Sequence, residues 1–135
     1  SSMSRRVVEV GKPWESTVKF SLGVVHSGLT LHTAGVTARD SQGQLVGEGD
    51  MREQTAQCFR NLDDIIKAAG ARWEDAVKLT LYTTDIERFH TETIELRAPY
   101  FVGKPAATLL EVSRLIDPRM LVEVEAVVHL PGQKP

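Results

Sequence analysis

The chain has 135 residues, 41% of them hydrophobic and 25% charged, and a net charge of −2. That length is one domain, read here as residues 3–135, which can bury roughly two-thirds of its unfolded surface without metal or disulfide staples. The charge argues against the basic stripe of a nucleic-acid binder, and Cys58, the only cysteine, excludes an internal disulfide and a cysteine-rich metal centre.

A single thiol fits a reducing, cytoplasmic compartment. No apolar run reaches the roughly 18 residues of a membrane span, so no membrane association is expected. Ser1 and Ser2, before Met3, read as a cloning remnant.

Residues 5–10, RRVVEV, read as a short strand. Residues 18–38 read as two strands joined by a turn at Ser27-Gly28, the second alternating Leu29, Leu31 and Thr33 against Thr30, His32 and Ala34. Asp40, Ser41 and Gly43 mark a loop. The period then becomes helical: Cys58, Leu62, Ile65, Ile66 and Ala69 form a stripe. Asp50 as N-cap, Glu53 three residues on as a capping box, and Gly70 just past the end bracket a helix over 51–69.

Residues 75–85 read as a strand with Val77, Leu79 and Leu81 on one face and Lys78, Thr80 and Tyr82 on the other. Asp85 caps a second helix with Ile86, Phe89, Thr93 and Leu96 inside, and Pro99 ends it near Arg97. Residues 106–115 and 120–130 are the last two strands. In the final one, Glu123 and Glu125 share a face about 7 Å apart.

This order defines an α+β fold: one mixed sheet with two helices packed on one face. The second face mixes Thr, Lys, Tyr and Glu with apolar residues. It is too mixed for a second core and too apolar for bare solvent, so a subunit interface is expected there.

Four segments in this order resemble the RidA/YjgF family, also labelled endoribonuclease L-PSP: TAGVTARDSQGQLVG (33–47), EQTAQCFRNLDDIIKAAGA (53–71), DAVKLTLYTTDIERF (75–89) and PAATLLEVSRL with VEVEA (105–126). The resemblance implies a chorismate-mutase-like fold and a homotrimer with small-molecule pockets between subunits. It also implies cofactor-free hydrolysis of enamines or imines, in which an arginine grips the substrate carboxylate and a glutamate handles the water. The glutamate falls on Glu123.

The arginine position holds Ala107. The usual pocket tyrosine becomes Phe20, the serine of the Ser-Gly pair becomes Ala34 before a retained Gly35, an asparagine becomes Thr93, and a cysteine becomes Leu109. The implied site is thus Glu123 as the catalytic residue, with Phe20, Ala34, Gly35, Thr93, Ala107 and Leu109 as ligand-binding residues. Such a pocket disfavours anions and suits a neutral or weakly basic ligand. Arg88, Arg97 and Arg119 remain open as replacement cations, while Arg114 has the wrong strand parity.

Glu125 reads as structural, paired with Lys78 or with an arginine across an interface, and Cys58 as an inert core thiol. His26, His32, His90 and His129 are scattered; His90 and Glu92 do not share a helix face, so no metal site is expected. No phosphate-binding glycine loop calls for a nucleotide cofactor. The rival to an enzyme is a non-catalytic module that binds or senses a small apolar ligand. A ribonuclease reading ranks last, because no basic, aromatic-laced surface supports it.

Overall fold

The computed structural model describes residues 4–135, so the reading of Ser1 and Ser2 lies outside the described residues. The strands and helices follow the expected order: β1 (Arg5–Val8), β2 (Gly23–His26), β3 (Leu29–His32), α1 (Met51–Ala68), β4 (Ala76–Thr83), α2 (Ile86–Arg97), β5 (Ala106–Glu111) and β6 (Val122–Leu130). Hydrogen bonding groups them into a four-stranded mixed sheet, ordered β3-β6-β4-β5, and a two-stranded ladder, β1-β2. In the larger sheet β6 runs antiparallel to β3 and β4, and β5 runs parallel to β4 after the α2 crossover.

The chain turns at Ser27-Gly28, but β2 and β3 do not pair with each other. All four residues of β2 are matched by β1, and those of β3 by β6. The turn hands the chain from one ladder to the other.

Three strands are shorter than their apolar patterns predict. β1 stops at Val8 because the Glu15 carboxylate takes the Val10 and Lys12 N–H groups and folds the segment into a turn. β5 stops at Glu111 because its partner β4 ends at Thr83; Val112 N–H still reaches Thr83 O at 2.8 Å, and then Asp85 turns the chain into α2. β6 starts at Val122 because Gln54 Oε1 accepts from Leu121 N–H and Met120 N–H bonds Asp117 O.

The helix signals act through hydrogen bonds. Asp50 and Asp85 accept from the N–H groups of Glu53 (3.0 Å) and Arg88 (3.1 Å). The expected capping box is only half made, because Asp50 N–H bonds Gly47 O at 2.8 Å and leaves Glu53 no return bond. At the far end Gly70 takes φ +71°. Its N–H bonds Lys67 O and the Ala71 N–H bonds Ile66 O, the two bonds of a Schellman cap.

Alternation assigns each strand residue to a face. Leu79, Leu81, Val122, Val124, Ala126 and Val128 join Phe59, Leu62, Ile66 and Phe89 of the helices in one core. Each large side chain so buried contributes about 1.5–3 kcal/mol. On the inner face of α2 the buried residues are Phe89, Thr93 and Arg97, with Leu96 only half-buried. An arginine therefore occupies a place the periodic reading gave to leucine.

Candidate functional site

The register of β4 fixes where the expected site residues stand. Ala107 pairs with Leu79 and Leu109 with Leu81, so both point to the helix side of the sheet. Glu123 pairs with Tyr82 and Glu125 with Thr80, so both point to the open side. One chain therefore holds the seven expected residues as two groups, on opposite faces of one sheet.

On the helix side is a cavity of about 390 Å³, lined by Phe20, Leu81, Ile94, Phe101, Ala107 and Leu109 among others. Its size falls in the range of small-molecule pockets, roughly 300–1,000 Å³. Of the three cations left open by the loss of arginine at position 107, one is in the wall. Arg97 lines it, with Lys19 and His90 also in the wall.

Arg97 is 9% exposed. Its Nε–H donates to Thr93 Oγ1 at 2.9 Å, and Thr93 donates in turn to Phe89 O at 2.7 Å. Its guanidinium lies 4.7 Å from the centre of the Phe89 ring. Nη2 is buried with no hydrogen-bond partner among the described residues. Burial pushes the Arg97 pKa below its ordinary value, only partly countered by Glu95; an arginine nonetheless stays charged at neutral pH. Thr93, expected in the lining, works instead one layer behind it by holding Arg97.

The other two arginines left open are occupied. Arg88 bonds Glu92 at 3.1 Å and Gly49 O at 2.7 Å, and Arg119 bonds Asp117 at 2.7 Å. Arg97 was detectable in the sequence as the residue four beyond Thr93, on the same helical row.

On the open side, the half-buried Glu123 carboxylate lies against Gly35. A Cβ at Gly35 would fall 3.0 Å from Glu123 Cδ and closer still to Oε2, so only glycine admits the carboxylate in this position. Val36, bridged to Val124, holds this loop on β6. Ala34 is exposed beside it, its carbonyl accepting from Thr33 Oγ1. Glu123 makes no hydrogen bond or ion pair to the described residues, whereas Glu125 accepts from Tyr82 OH. That bond, then burial, pushes the Tyr82 pKa up and keeps the phenol protonated. Glu125 thus has a tyrosine as partner; Lys78 donates instead to Thr108 Oγ1 at 2.7 Å.

Cys58 is buried in α1 with Sγ 3.6 Å from Val122 O. Burial, then the charge of Glu123, pushes its pKa up to about 12. Among the described residues no three His, Cys, Asp or Glu side chains converge to hold a metal ion, and no helix is long and apolar enough to cross a membrane.

Residues 11–130 match the family described as endoribonuclease L-PSP. A RutC family protein from Pyrococcus horikoshii is 36% identical over 106 residues, 78% of this chain and 82% of that protein. The 2-iminobutanoate/2-iminopropanoate deaminase of Homo sapiens is 34% identical over 129 residues, 94% of this chain and 91% of that one. Among solved structures, the Rid family protein YyfB from Yersinia pestis, described as of unknown function, superposes with a TM-score of 0.83 at 32% identity, covering 95% of this chain and 100% of that one. The chain belongs to the RidA/YjgF family, and its mixed sheet with two helices is the fold of that family.

Proposed function

We propose that residues 3–135 act as one Rid-type domain, assembled as a homotrimer, that hydrolyses an imine or enamine of a small molecule without a cofactor. Relatives named as 2-iminobutanoate/2-iminopropanoate deaminases support the reaction class. The observation that carries the reading is the unengaged carboxylate of Glu123, seated on Gly35 on the sheet face that the helices leave uncovered.

Glu123 takes a proton from water as the hydroxyl oxygen adds to the C=N carbon, and the nitrogen gains a proton. The carbinolamine then collapses, its C–N bond breaks, and ammonia leaves with a carbonyl as the product. Glu125 is not the base, because Tyr82 already occupies it. The cavity beside Ala107 lies on the other face, so the reading requires Glu123 of one subunit to meet the cavity of its neighbour. A reducing cytoplasm suits the single unpaired thiol.

Subunit complementation tests it. Glu123→Gln and Ala107→Trp are each expected to be folded, trimeric and inactive toward small imines. Co-refolded, they should regain activity, because mixed trimers contain a junction with both parts intact. Sedimentation of the wild type at about one chain mass, or no recovery on mixing, sinks the reading. The apolar walls of Phe20, Leu109 and Phe101 favour one rival, a non-catalytic module that binds the same class of ligand. That rival predicts ligand binding with no turnover in any mixture.

A further inference from the structure

We infer that Arg97, reaching from α2, is the anion-holding residue of the cavity, and that its ligand is a small monocarboxylate with an apolar body. The inference rests on reading the cavity as a small-molecule site, but not on hydrolysis taking place there.

Three observations converge. First, the guanidinium is fixed but incomplete: Thr93 takes Nε–H, the Phe89 ring supports one face, and Nη2 is buried without a partner. Nη1 also makes no hydrogen bond to the described residues and, unlike Nη2, is not sealed from the cavity, so it is the edge that meets a ligand. A carboxylate there supplies an acceptor with charge assistance. Second, the lining is one-signed. Its charged members are Lys19 and Arg97, and no Asp or Glu is among them. The nearby Glu95 is held outside by Arg52 in a salt bridge. Third, apart from Arg97, Thr17, Lys19 and His90 the wall is apolar, chiefly Phe20, Leu81, Ile94, Phe101, Ala107 and Leu109. Lys19 is solvent-exposed, so Arg97 is the one buried cation of the lining, and a buried delocalised cation above such a wall matches a singly charged planar anion with a branched or cyclic apolar body. A phosphate dianion would leave charge and oxygens unmatched against hydrocarbon.

The small residue at position 107 gains a purpose. A long side chain on β5 would enter the same space, so Ala107 leaves room for the apolar body while the cation comes from the helix opposite.

The test is calorimetric titration of the whole chain with 4-methylpentanoate, 4-methylpentanamide and butyl phosphate. The carboxylate should bind at least about tenfold more tightly than the other two, since each tenfold is one lost charge-assisted contact or less. Arg97→Met should lose that preference, and Arg97→Lys should keep part of it, a point charge without the fork. Arg97→Met also removes the partner of Thr93 and can perturb folding. Leu109→Trp, which fills the cavity and leaves the guanidinium alone, should therefore abolish binding of the carboxylate as well. Equal affinity for acid and amide, preference for the phosphate, unchanged binding in folded Arg97→Met, or no carboxylate binding at millimolar concentration each overturns the inference. Carboxylate binding with no hydrolysis of any imine leaves it standing and removes the hydrolase reading. Hydrolysis of a neutral imine with no carboxylate preference does the reverse.

Discussion

Gly35 and Glu123 occupy each other's space: the carboxylate lies where a β-carbon on residue 35 would stand. The loop after β3 therefore sets the position of the proposed base, which its own strand leaves free.

Gly35→Ala should separate position from stability. The intruding methyl meets a flexible side chain, so Glu123 swings aside and folding changes by no more than about 1 kcal/mol. Imine hydrolysis should fall by about tenfold or more. Any stability loss should disappear in Gly35→Ala with Glu123→Ala, because the two positions are coupled. Additive urea midpoints across that cycle would show that the contact is not felt.

Thr93→Val keeps volume and removes the oxygen that accepts from Arg97 Nε and donates to Phe89 O. A buried donor is left unmatched, at a cost of about 1–3 kcal/mol. Thr93→Ser should restore most of it. A valine variant as stable as wild type would show that Arg97 finds another acceptor.

His129 is buried, with neither ring nitrogen partnered among the described residues, and its ring lies 4.7 Å from that of His26. Burial, then His26, pushes its pKa down, although Asp75 and the Ser27 backbone pull the other way. The unfolded chain therefore binds the proton more readily than the folded one. The stabilising contribution is full above about pH 6.5, the unfolded value, and is lost as pH falls from there toward the lowered folded value. Urea midpoints measured from pH 8 to 5 should decline more steeply for wild type than for His129→Leu. Parallel slopes would remove His129 from the account.

Cys58 should be silent in the native state. Its thiol is buried and its pKa lies at about 12, so almost no thiolate is present at pH 8. An aromatic disulfide reagent should label it on the timescale of unfolding, and at once in urea. Rapid labelling of folded protein would contradict the packing of α1 on β6.

The strands, the helices and their order were legible because each buries one face, and period 2 or 3.6 records which. The ends of β1 and β5 were not, because they depend on where a partner stops and on which carboxylate reaches back, as Glu15 does for Val10. The two glutamates of β6 were rightly placed on one face, but their different states turned on Tyr82, a cross-strand neighbour that spacing within β6 cannot reveal. Ala107 suggested a pocket that disfavours anions, with Arg88, Arg97 and Arg119 left open as replacement cations, because spacing could not say which of the three enters the wall. Arg97 lies three residues past Ile94 and seven past His90, on the face of α2 that lines the cavity. Its row was readable; its burial depended on how α2 lies over β5.

A sheet is a two-sided partition, and here the carboxylate and the guanidinium stand on different sides of it. Under the proposed assembly, a newly made chain can finish folding and still own only two half-sites. Turnover then becomes a measure of encounter: on dilution, rate per chain should drop more steeply than unfolding allows. On that proposal each half is also free to vary under its own constraints, with α2 and β5 choosing what is held and the loop at Gly35 choosing where the water is met.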